Sequence, residues 1–393
     1  MIFLFLSSGL FLGWSLGAND AANIFGTAVG TKMVRFKTAA LIASVFVIIG
    51  AYLSGAGAAH TLGELGAINE LAGSFTVAIA AAFTVTLMTR LKLPVSTSQA
   101  VVGAIIGWNL FSGFAIDYAA LTKIVSTWIV CPILAAIFAA LLYKLSKILL
   151  PKLNIHLLRM DAYTRVALIV VGAFGAYSLG ANNIANVMGM FIHSVPFQDI
   201  QLSQVLTVST AEQLFILGGL AISVGIFTYS RRVMNTVGKD LFRLSPITAF
   251  IVVLSHSLVL YIFASEGLRN WLVANNLPPI PLVPVSSSQA VIGAILGIAL
   301  VKGGKNIRFG VLGKIASGWV TTPVIAGIVS VFFLFIMQNV FDQAVYRSAE
   351  NVVWEQKHNS NEIVDISCVS KTILYEEVYG DLAILKNAEL KKK

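Results

Sequence analysis

Two polar stretches interrupt long apolar segments of the sequence, and the two are nearly identical. Residues 17–23 read GANDAAN, and residues 180–186 read GANNIAN. Asparagine and aspartate side chains are costly in an apolar, membrane-like environment, and where they occur there they usually mark the path of an ion or a substrate. Both stretches are therefore predicted to bind something polar.

Gly17 and Gly180 begin the two stretches and allow either a break in a helix or the close approach of another backbone. Carbonyl oxygens freed at a break suit a hard cation such as Na⁺. Asp20 would neutralise that cation or carry a proton, whereas the second copy has an amide at this position. The predicted Na⁺ ligands are oxygen atoms of both stretches and of two hydroxyl residues: Ala18, Asn19, Asp20, Asn23, Ala181, Asn182, Asn183, Thr97 and Ser287.

A second repeated motif is rich in hydroxyl groups. Residues 94–99 read PVSTSQ, and residues 284–289 read PVSSSQ. Proline does not continue a helix, so a helix is predicted to begin just after each one. The hydroxyl groups would then cap a first turn whose free N–H groups attract an anion, or they would simply bond back to the preceding turn. The repetition favours a site for a small tetrahedral oxyanion, formed by Ser96, Thr97, Ser98, Gln99, Ser286, Ser287, Ser288 and Gln289.

Three further ionisable residues lie in or near apolar segments. Glu212 follows Ser209 near the outer end of its segment, and it is either an additional cation or proton ligand or an acid at the membrane interface. His256, between two serines, and His60, near a loop, are interpreted as packing or interfacial residues.

The composition identifies the elements that must position these residues. Of 393 residues, 57% are hydrophobic and 11% are charged, with a mean hydropathy of +0.84, whereas globular domains have about 25% charged residues. Ten apolar runs are long enough to enter a bilayer, and backbone groups in lipid must bond within their own helix. The predicted fold is an all-α polytopic membrane bundle with about 10–12 membrane segments, including broken or re-entrant helices. The two cysteines, Cys131 and Cys368, suggest neither a disulfide framework nor a metal cluster.

The repeated motifs divide the chain into two related halves. We predict a first transmembrane repeat at 1–150, a basic cytoplasmic linker at 151–164, a second repeat at 165–341 and a small soluble tail at 342–393. If the N-terminus lies outside, every Lys and Arg before position 342 is cytoplasmic except Lys123 and Arg269, as the positive-inside rule requires. Each repeat then has five crossings, so the second is inverted, an organisation common among secondary transporters. The alternative is a duplication that only enlarges the bundle.

The region 72–113 allows two interpretations. It contains either two full crossings or one hairpin that dips in from outside, with the PVSTSQ motif at its tip. Both leave the later loops on the same sides of the membrane, but they place Arg90 and Lys92 differently. With ten crossings, the tail would lie on the same face as the N-terminus.

The four motifs together resemble the inorganic phosphate transporter (PiT) family, especially its bacterial sodium/phosphate symporter-like members. Residues 17–30, their second copy, both serine motifs and the loop 231–241 carry the resemblance, which covers nearly all of 1–340 and not the tail. It implies a homodimeric symporter of the inner (plasma) membrane that imports phosphate with Na⁺ or H⁺. It adds Asp20, Asn23, Asn183 and Asn186 to the phosphate site.

Two departures from the family pattern bear on the coupling ion. Asn183 stands where the family has Asp, and Gln99 and Gln289 stand where many members have His. The missing histidines and the many neutral oxygens favour Na⁺. We expect no cofactor, no enzymatic activity and no nucleic-acid partner, and the transported ligands to be phosphate and Na⁺. The alternatives are H⁺-coupled phosphate transport, sulfate transport by the same fold, and a passive anion channel.

Overall fold

A computed structural model describes residues 2–66, 68–90, 95–153, 155–201, 207–236, 244–304 and 309–347. Lys92, Pro94, Cys368 and the tail beyond residue 347 lie outside these ranges. The helices of the first half are α1 Ile2–Gly30, α2 Phe36–Ser54, α3 Ala56–Leu65, α4 Leu71–Arg90, α5 Thr97–Ser112 and α6 Tyr118–Lys152. Those of the second half are α7 Leu157–Met188, α8 Thr210–Thr228, α9 Ser230–Thr236, α10 Pro246–Ile262, α11 Glu266–Ala274, α12 Ser287–Val301 and α13 Phe309–Asn339. A 3-10 turn, Gly189–Phe191, and a small antiparallel pair, β1 Ile200–Gln201 with β2 Thr207–Val208, complete the described elements.

Each of the ten apolar runs corresponds to a helix, but the helices differ in length. Among the described residues, seven helices can cross a membrane by length and composition, and α10 with α11 forms an eighth candidate, bent by 64°. The serine-motif helices α5 and α12 have 16 and 15 residues. At 1.5 Å per residue they are roughly 22–24 Å long, shorter than a hydrocarbon core of about 30 Å. The helical part of these two runs is therefore too short to cross by itself, which agrees with the predicted broken or re-entrant segments.

The same lengths bear on the region 72–113. The 20 residues of α4 are long enough to cross, and α4 ends at the exposed Arg90. The shorter α5 instead begins inside the protein, where Thr97 and Ser98 are buried. The observed arrangement is thus one full-length helix followed by one short helix.

The outer surface is apolar in the way that lipid requires. On α6, every fourth side chain is exposed and aliphatic: Ile129, Ile133, Ile137 and Leu141 are 49–64% exposed. Residues four apart share one face of a helix. Such a stripe would be a liability in water, but it matches the hydrocarbon of a bilayer.

The start of α1 and the segment that follows α13 lie at the same end of the bundle. Phe5 in the second turn of α1 contacts Phe75 in the second turn of α4, with ring centroids 5.8 Å apart. After α13, the backbone carbonyl of Val345 accepts a hydrogen bond from Trp108 Nε1 at 2.9 Å, and Arg347 pairs with Glu70. The tail therefore starts on the face that holds the N-terminus.

Helices of one half pack against helices of the other half in a reciprocal pattern. α1 packs on α8, and its counterpart α7 packs on α2. At both contacts a glycine touches a backbone: a Cβ on Gly17 would overlap the carbonyl of Ile222, and a Cβ on Gly180 would overlap that of Val47. The helices can approach this closely only because glycine has no side chain.

The serine-motif helices repeat this pattern. α5 packs on α13, and α12 packs on α6. A Cβ on Gly103 would overlap the carbonyl of Pro323, and a Cβ on Gly293 would overlap that of Pro132. Each contact of a first-half helix with a second-half helix thus has a counterpart in which the two halves are exchanged. A twofold pseudo-symmetry between duplicated halves would produce this pattern.

Candidate functional site

The two serine motifs begin their helices as predicted. Ser96 Oγ accepts a hydrogen bond from the backbone N–H of Gln99, and Ser286 Oγ accepts one from that of Gln289, both at 3.3 Å. These are N-cap bonds, made because the first-turn N–H groups of a helix have no intrahelical acceptor. The predicted helix starts are therefore confirmed, and the alternative of hydroxyls that only bond back does not apply to these two serines.

The two motifs contact each other across the centre of the molecule. Ser98 Oγ donates to the carbonyl of Val285 at 3.1 Å, and Ser288 Oγ donates to the carbonyl of Val95 at 2.9 Å. Ser286 and Ser288 also share a hydrogen bond of 3.1 Å. The N-terminal ends of α5 and α12 consequently meet, and four serine hydroxyls of the predicted set are engaged within the protein.

The asparagine motifs reach the same place. Asn23 Nδ2 donates to Ser287 Oγ at 2.9 Å. Asn186 Nδ2 donates to Ser98 Oγ at 2.8 Å and to Asn183 Oδ1 at 3.0 Å. Side chains distant in sequence are thus brought together as the motifs predicted, and we call Asp20, Asn23, Asn183, Asn186 and the two serine motifs the central cluster.

Several polar atoms of the central cluster are buried and have no hydrogen-bond partner among the described residues. They are three acceptors and one donor: Gln99 Oε1, Gln289 Oε1, Asn186 Oδ1 and Asn183 Nδ2. Buried polar atoms in native proteins are nearly always paired. The donor suits an anion and the acceptors suit a cation, so the cluster has the chemistry to hold both.

Asp20 lies three residues before Asn23 on α1, so the two side chains share one face of that helix. Asp20 is 7% exposed, and within the described part of the chain its carboxylate receives no hydrogen bond. An uncompensated carboxylate is expensive to bury. A cation or a proton at Asp20 would remove that cost.

The predicted helix break is not observed. α1 is continuous from Ile2 to Gly30, and α7 is continuous from Leu157 to Met188. Gly17 and Gly180 instead allow the close approach of a neighbouring backbone, which was the other predicted alternative. Carbonyls inside a continuous helix bond to their own helix, so the broken-helix argument for Ala18 and Ala181 as Na⁺ ligands fails, and their role stays a prediction.

Asn182 and Glu212 both bond to backbone groups of the protein. Asn182 Nδ2 donates to the carbonyl of Val283 at 2.9 Å, and its Oδ1 accepts from the N–H of Val285 at 2.8 Å. Glu212 forms a capping box at the start of α8, where its Oε2 accepts from the backbone N–H of Ser209 at 2.7 Å. The Na⁺-ligand role of both residues stays a prediction.

One residue of the site was missed from the sequence. His256, for which the sequence favours a packing or interfacial role, is fully buried on α10, and its Nε2 lies 2.9 Å from Ser287 Oγ. A histidine between two serines in an apolar segment was the available signal. Its proximity to Ser287 depends on how α10 packs against α12, which no local pattern reveals.

These observations define a class: a multi-pass membrane protein whose halves converge on a buried polar cluster. A model of the phosphate transporter family matches residues 16–268 and 279–386. The chain belongs to that family. The match includes most of the tail, which the sequence resemblance had left out.

Known relatives agree on the class and differ on the anion. A Methanocaldococcus jannaschii protein assigned as a phosphate permease is 30% identical over 320 residues, which cover 81% of this chain and 92% of that protein. The sulfate permease CysP of Bacillus subtilis is 28% identical over 346 residues, 86% of this chain and 88% of the permease. A solved structure, described as the sodium-dependent phosphate transporter, has the same fold, with a TM-score of 0.67, 21% identity, and coverage of 86% of this chain and 98% of that one.

Proposed function

We propose that the protein is a secondary active transporter that imports inorganic phosphate together with Na⁺. The observation that carries the proposal is the central cluster, where two helix N-termini and amides from both halves meet, with the buried Asp20 on the same helix face as Asn23. A helix N-terminus favours an anion, and the buried unpaired acceptors beside it favour a cation.

The phosphate site consists of the residues predicted from the motifs, with a division of labour among them. Thr97, Ser287, Asn183 and the first-turn N–H groups of α5 and α12 donate to the anion. The N-caps and the crossed serine bonds hold these donors in place. Na⁺ lies beside Asp20 and the amide oxygens, and each ion lowers the cost of burying the other, which couples their binding.

The proposed transport cycle uses two inverted repeats in the cell's inner (plasma) membrane. The reciprocal packing of α1 on α8 and of α7 on α2 supports a twofold relation between the halves. With odd numbers of crossings in each half, that relation inverts one half and leaves the cluster near the midplane. A homodimer is the assembly that the family resemblance implies.

Sulfate is the second candidate substrate, favoured by the similarity to a sulfate permease. Backbone and hydroxyl donors bind any tetrahedral oxyanion. A phosphate that carries a proton can donate to Asp20, whereas sulfate cannot, so the buried carboxylate favours phosphate. Proton coupling through Asp20 and passive anion flux are the remaining alternatives.

The test is uptake of radiolabelled phosphate into proteoliposomes, with inward Na⁺ or H⁺ gradients imposed separately and unlabelled sulfate as competitor. Accumulation driven by Na⁺ alone and resistant to sulfate is the expected result. Accumulation driven by H⁺ would make Asp20 a proton carrier. Strong competition by sulfate would change the assignment of the substrate, and equilibration without accumulation would identify a channel.

A further inference from the structure

His256 makes a contact that the transport proposal does not use. The ring is fully buried in α10, its Nε2 lies 2.9 Å from Ser287 Oγ, and its Nδ1 is buried without a partner among the described residues. Its neighbours do not serve it, because Ser255 and Ser257 donate to carbonyls of their own helix, those of Ile251 and Val253.

Ser287 is the residue through which His256 reaches the central cluster. It is the first residue of α12, and its Oγ also receives a hydrogen bond from Asn23 Nδ2 at 2.9 Å. A hydroxyl group has one proton to donate and two lone pairs that accept. Because the amide of Asn23 can only donate at this atom, one lone pair of Ser287 is occupied, and the direction of its proton depends on His256.

The two neutral forms of the His256 ring orient the Ser287 hydroxyl proton in opposite ways. If Nδ1 carries the proton, Nε2 must accept, so the Ser287 hydroxyl points at the histidine and is lost to a ligand. If Nε2 carries the proton, it donates to Ser287, both lone pairs are filled, and the hydroxyl proton points away from the histidine and the asparagine. Orphaned buried N–H groups are rarer than orphaned acceptors, so the unpartnered Nδ1 favours the second form.

We propose that His256 is a positioning residue of the anion site: its Nε2–H donates to Ser287 Oγ and so directs the Ser287 hydroxyl proton toward the bound oxyanion. The inference rests on the proposed binding of an anion in the central cluster. Thr97, at the matching position of the first motif, makes no side-chain hydrogen bond to another described residue. The two hydroxyl donors therefore differ: that of Ser287 is fixed before the anion arrives, and that of Thr97 is not.

The functional test compares phosphate uptake by full-length variants in proteoliposomes. Replacing His256 with leucine frees the Ser287 hydroxyl from its donor, and we expect KM for phosphate to rise about tenfold with a smaller change in kcat. His256→Gln, whose amide can donate from nearly the same position as Nε2, should restore most of the affinity. The matched control is Ser257→Ala, which removes a buried hydroxyl of the same helix turn that bonds only to its own helix and should leave KM unchanged.

A double-mutant cycle separates positioning from packing. In a Ser287→Ala background, His256→Leu should cost no further affinity, because the hydroxyl that it positions is gone. A loss in that background as large as in the wild type would overturn the proposal, as would a His256→Gln variant with the affinity of His256→Leu.

A second measurement does not depend on transport. The protein has five histidines, so ¹⁵N-histidine NMR of the full chain in lipid, compared with the His256→Gln variant, assigns the His256 signals by difference. The expected result is a neutral ring protonated at Nε2, with signals that shift in Ser287→Ala. A ring protonated at Nδ1 would refute the inference even if phosphate uptake is observed. If the His256 ring is protonated at Nε2 but the protein takes up no phosphate, the contact with Ser287 is supported and the proposed transport function is refuted.

Discussion

The two asparagine motifs have almost the same sequence and are bonded differently. In the second half, Asn182 is fully buried and holds the backbone of Val283 and Val285. Its counterpart Asn19 is partly exposed and donates to the carbonyl of Ser15 in its own helix, at 3.0 Å. Identical residue types therefore do not imply identical roles, because the bonds that each asparagine forms depend on which backbone segment packs against it.

The same asymmetry extends to the segments that lead into α5 and α12. Val285 is fully buried beside Asn182, whereas Val95 is only partly buried. The central cluster is thus closed more tightly on the side of the second motif. In a pair of inverted repeats, exchanging the two arrangements would open one side and close the other, which is what alternating access requires.

The largest expected effect comes from removing the one difference in charge between the motifs. Asp20→Asn gives the first motif the amide that the second has at Asn183. We predict that Na⁺-driven uptake falls to the level of protein-free liposomes, because the cation loses its counter-charge in a site of low dielectric. Asn183→Ala is the comparison variant and should weaken phosphate affinity without abolishing coupling. Concentrative uptake by a correctly folded Asp20→Asn protein would remove this residue from the mechanism.

The next effect tests whether the halves are equivalent in packing. Gly17→Ala and Gly180→Ala each push a Cβ into a backbone carbonyl of the partner helix, and backbone atoms cannot move aside cheaply. We expect each to lower the stability of the protein by about 3 kcal/mol, measured as thermal unfolding in detergent. Gly313→Ala is the matched control, since a Cβ there meets no atom within 4 Å. Unequal losses at the two positions would contradict the reciprocal packing.

Much of this architecture follows from local sequence patterns. Apolar length predicts the helices, and proline followed by serine predicts the helix starts at Ser96 and Ser286. The repetition of both motifs predicts that they meet. What the sequence could not provide is the choice between two uses of Gly17, because the carbonyl of Ile222 that it contacts lies far along the chain. For the same reason the bond between His256 and Ser287 was missed, since it exists only once α10 and α12 pack together.

A smaller effect should distinguish the two asparagines directly. Asn182→Ala leaves a buried carbonyl and a buried N–H of the segment before α12 without partners, so we expect a loss of about 2 kcal/mol of stability. Asn19→Ala removes one partly exposed bond to its own helix and should be nearly neutral in the same thermal assay. Equal losses would mean that Asn19 is as firmly engaged as Asn182, and the proposed asymmetry would disappear.

The smallest effect concerns His193, which follows the asparagine motif of the second half. His193 lies against α3, its Nε2 3.4 Å from where a Cβ on Gly63 would be, and burial of the ring, followed by the nearby His60, lowers the pKa of His193. The charged groups on this surface include Glu64, which pairs with His60 at 3.4 Å, and Lys123, 3.9 Å from Glu64.

A histidine whose pKa is lower in the folded protein binds its proton more readily when unfolded. Stability is therefore complete above the unfolded pKa of about 6.5 and falls as the pH decreases through that value toward the folded pKa. His193 is exposed to solvent, so we expect only a small decrease in unfolding temperature between pH 7.5 and pH 5.5. His193→Gln should reduce this decrease, and His60→Gln should reduce it less, because His60 is the smaller of the two causes. If His193→Gln retains the full pH dependence, the acid sensitivity originates at another group. His193 would then not be a titratable group of the second half to compare with Asp20 of the first.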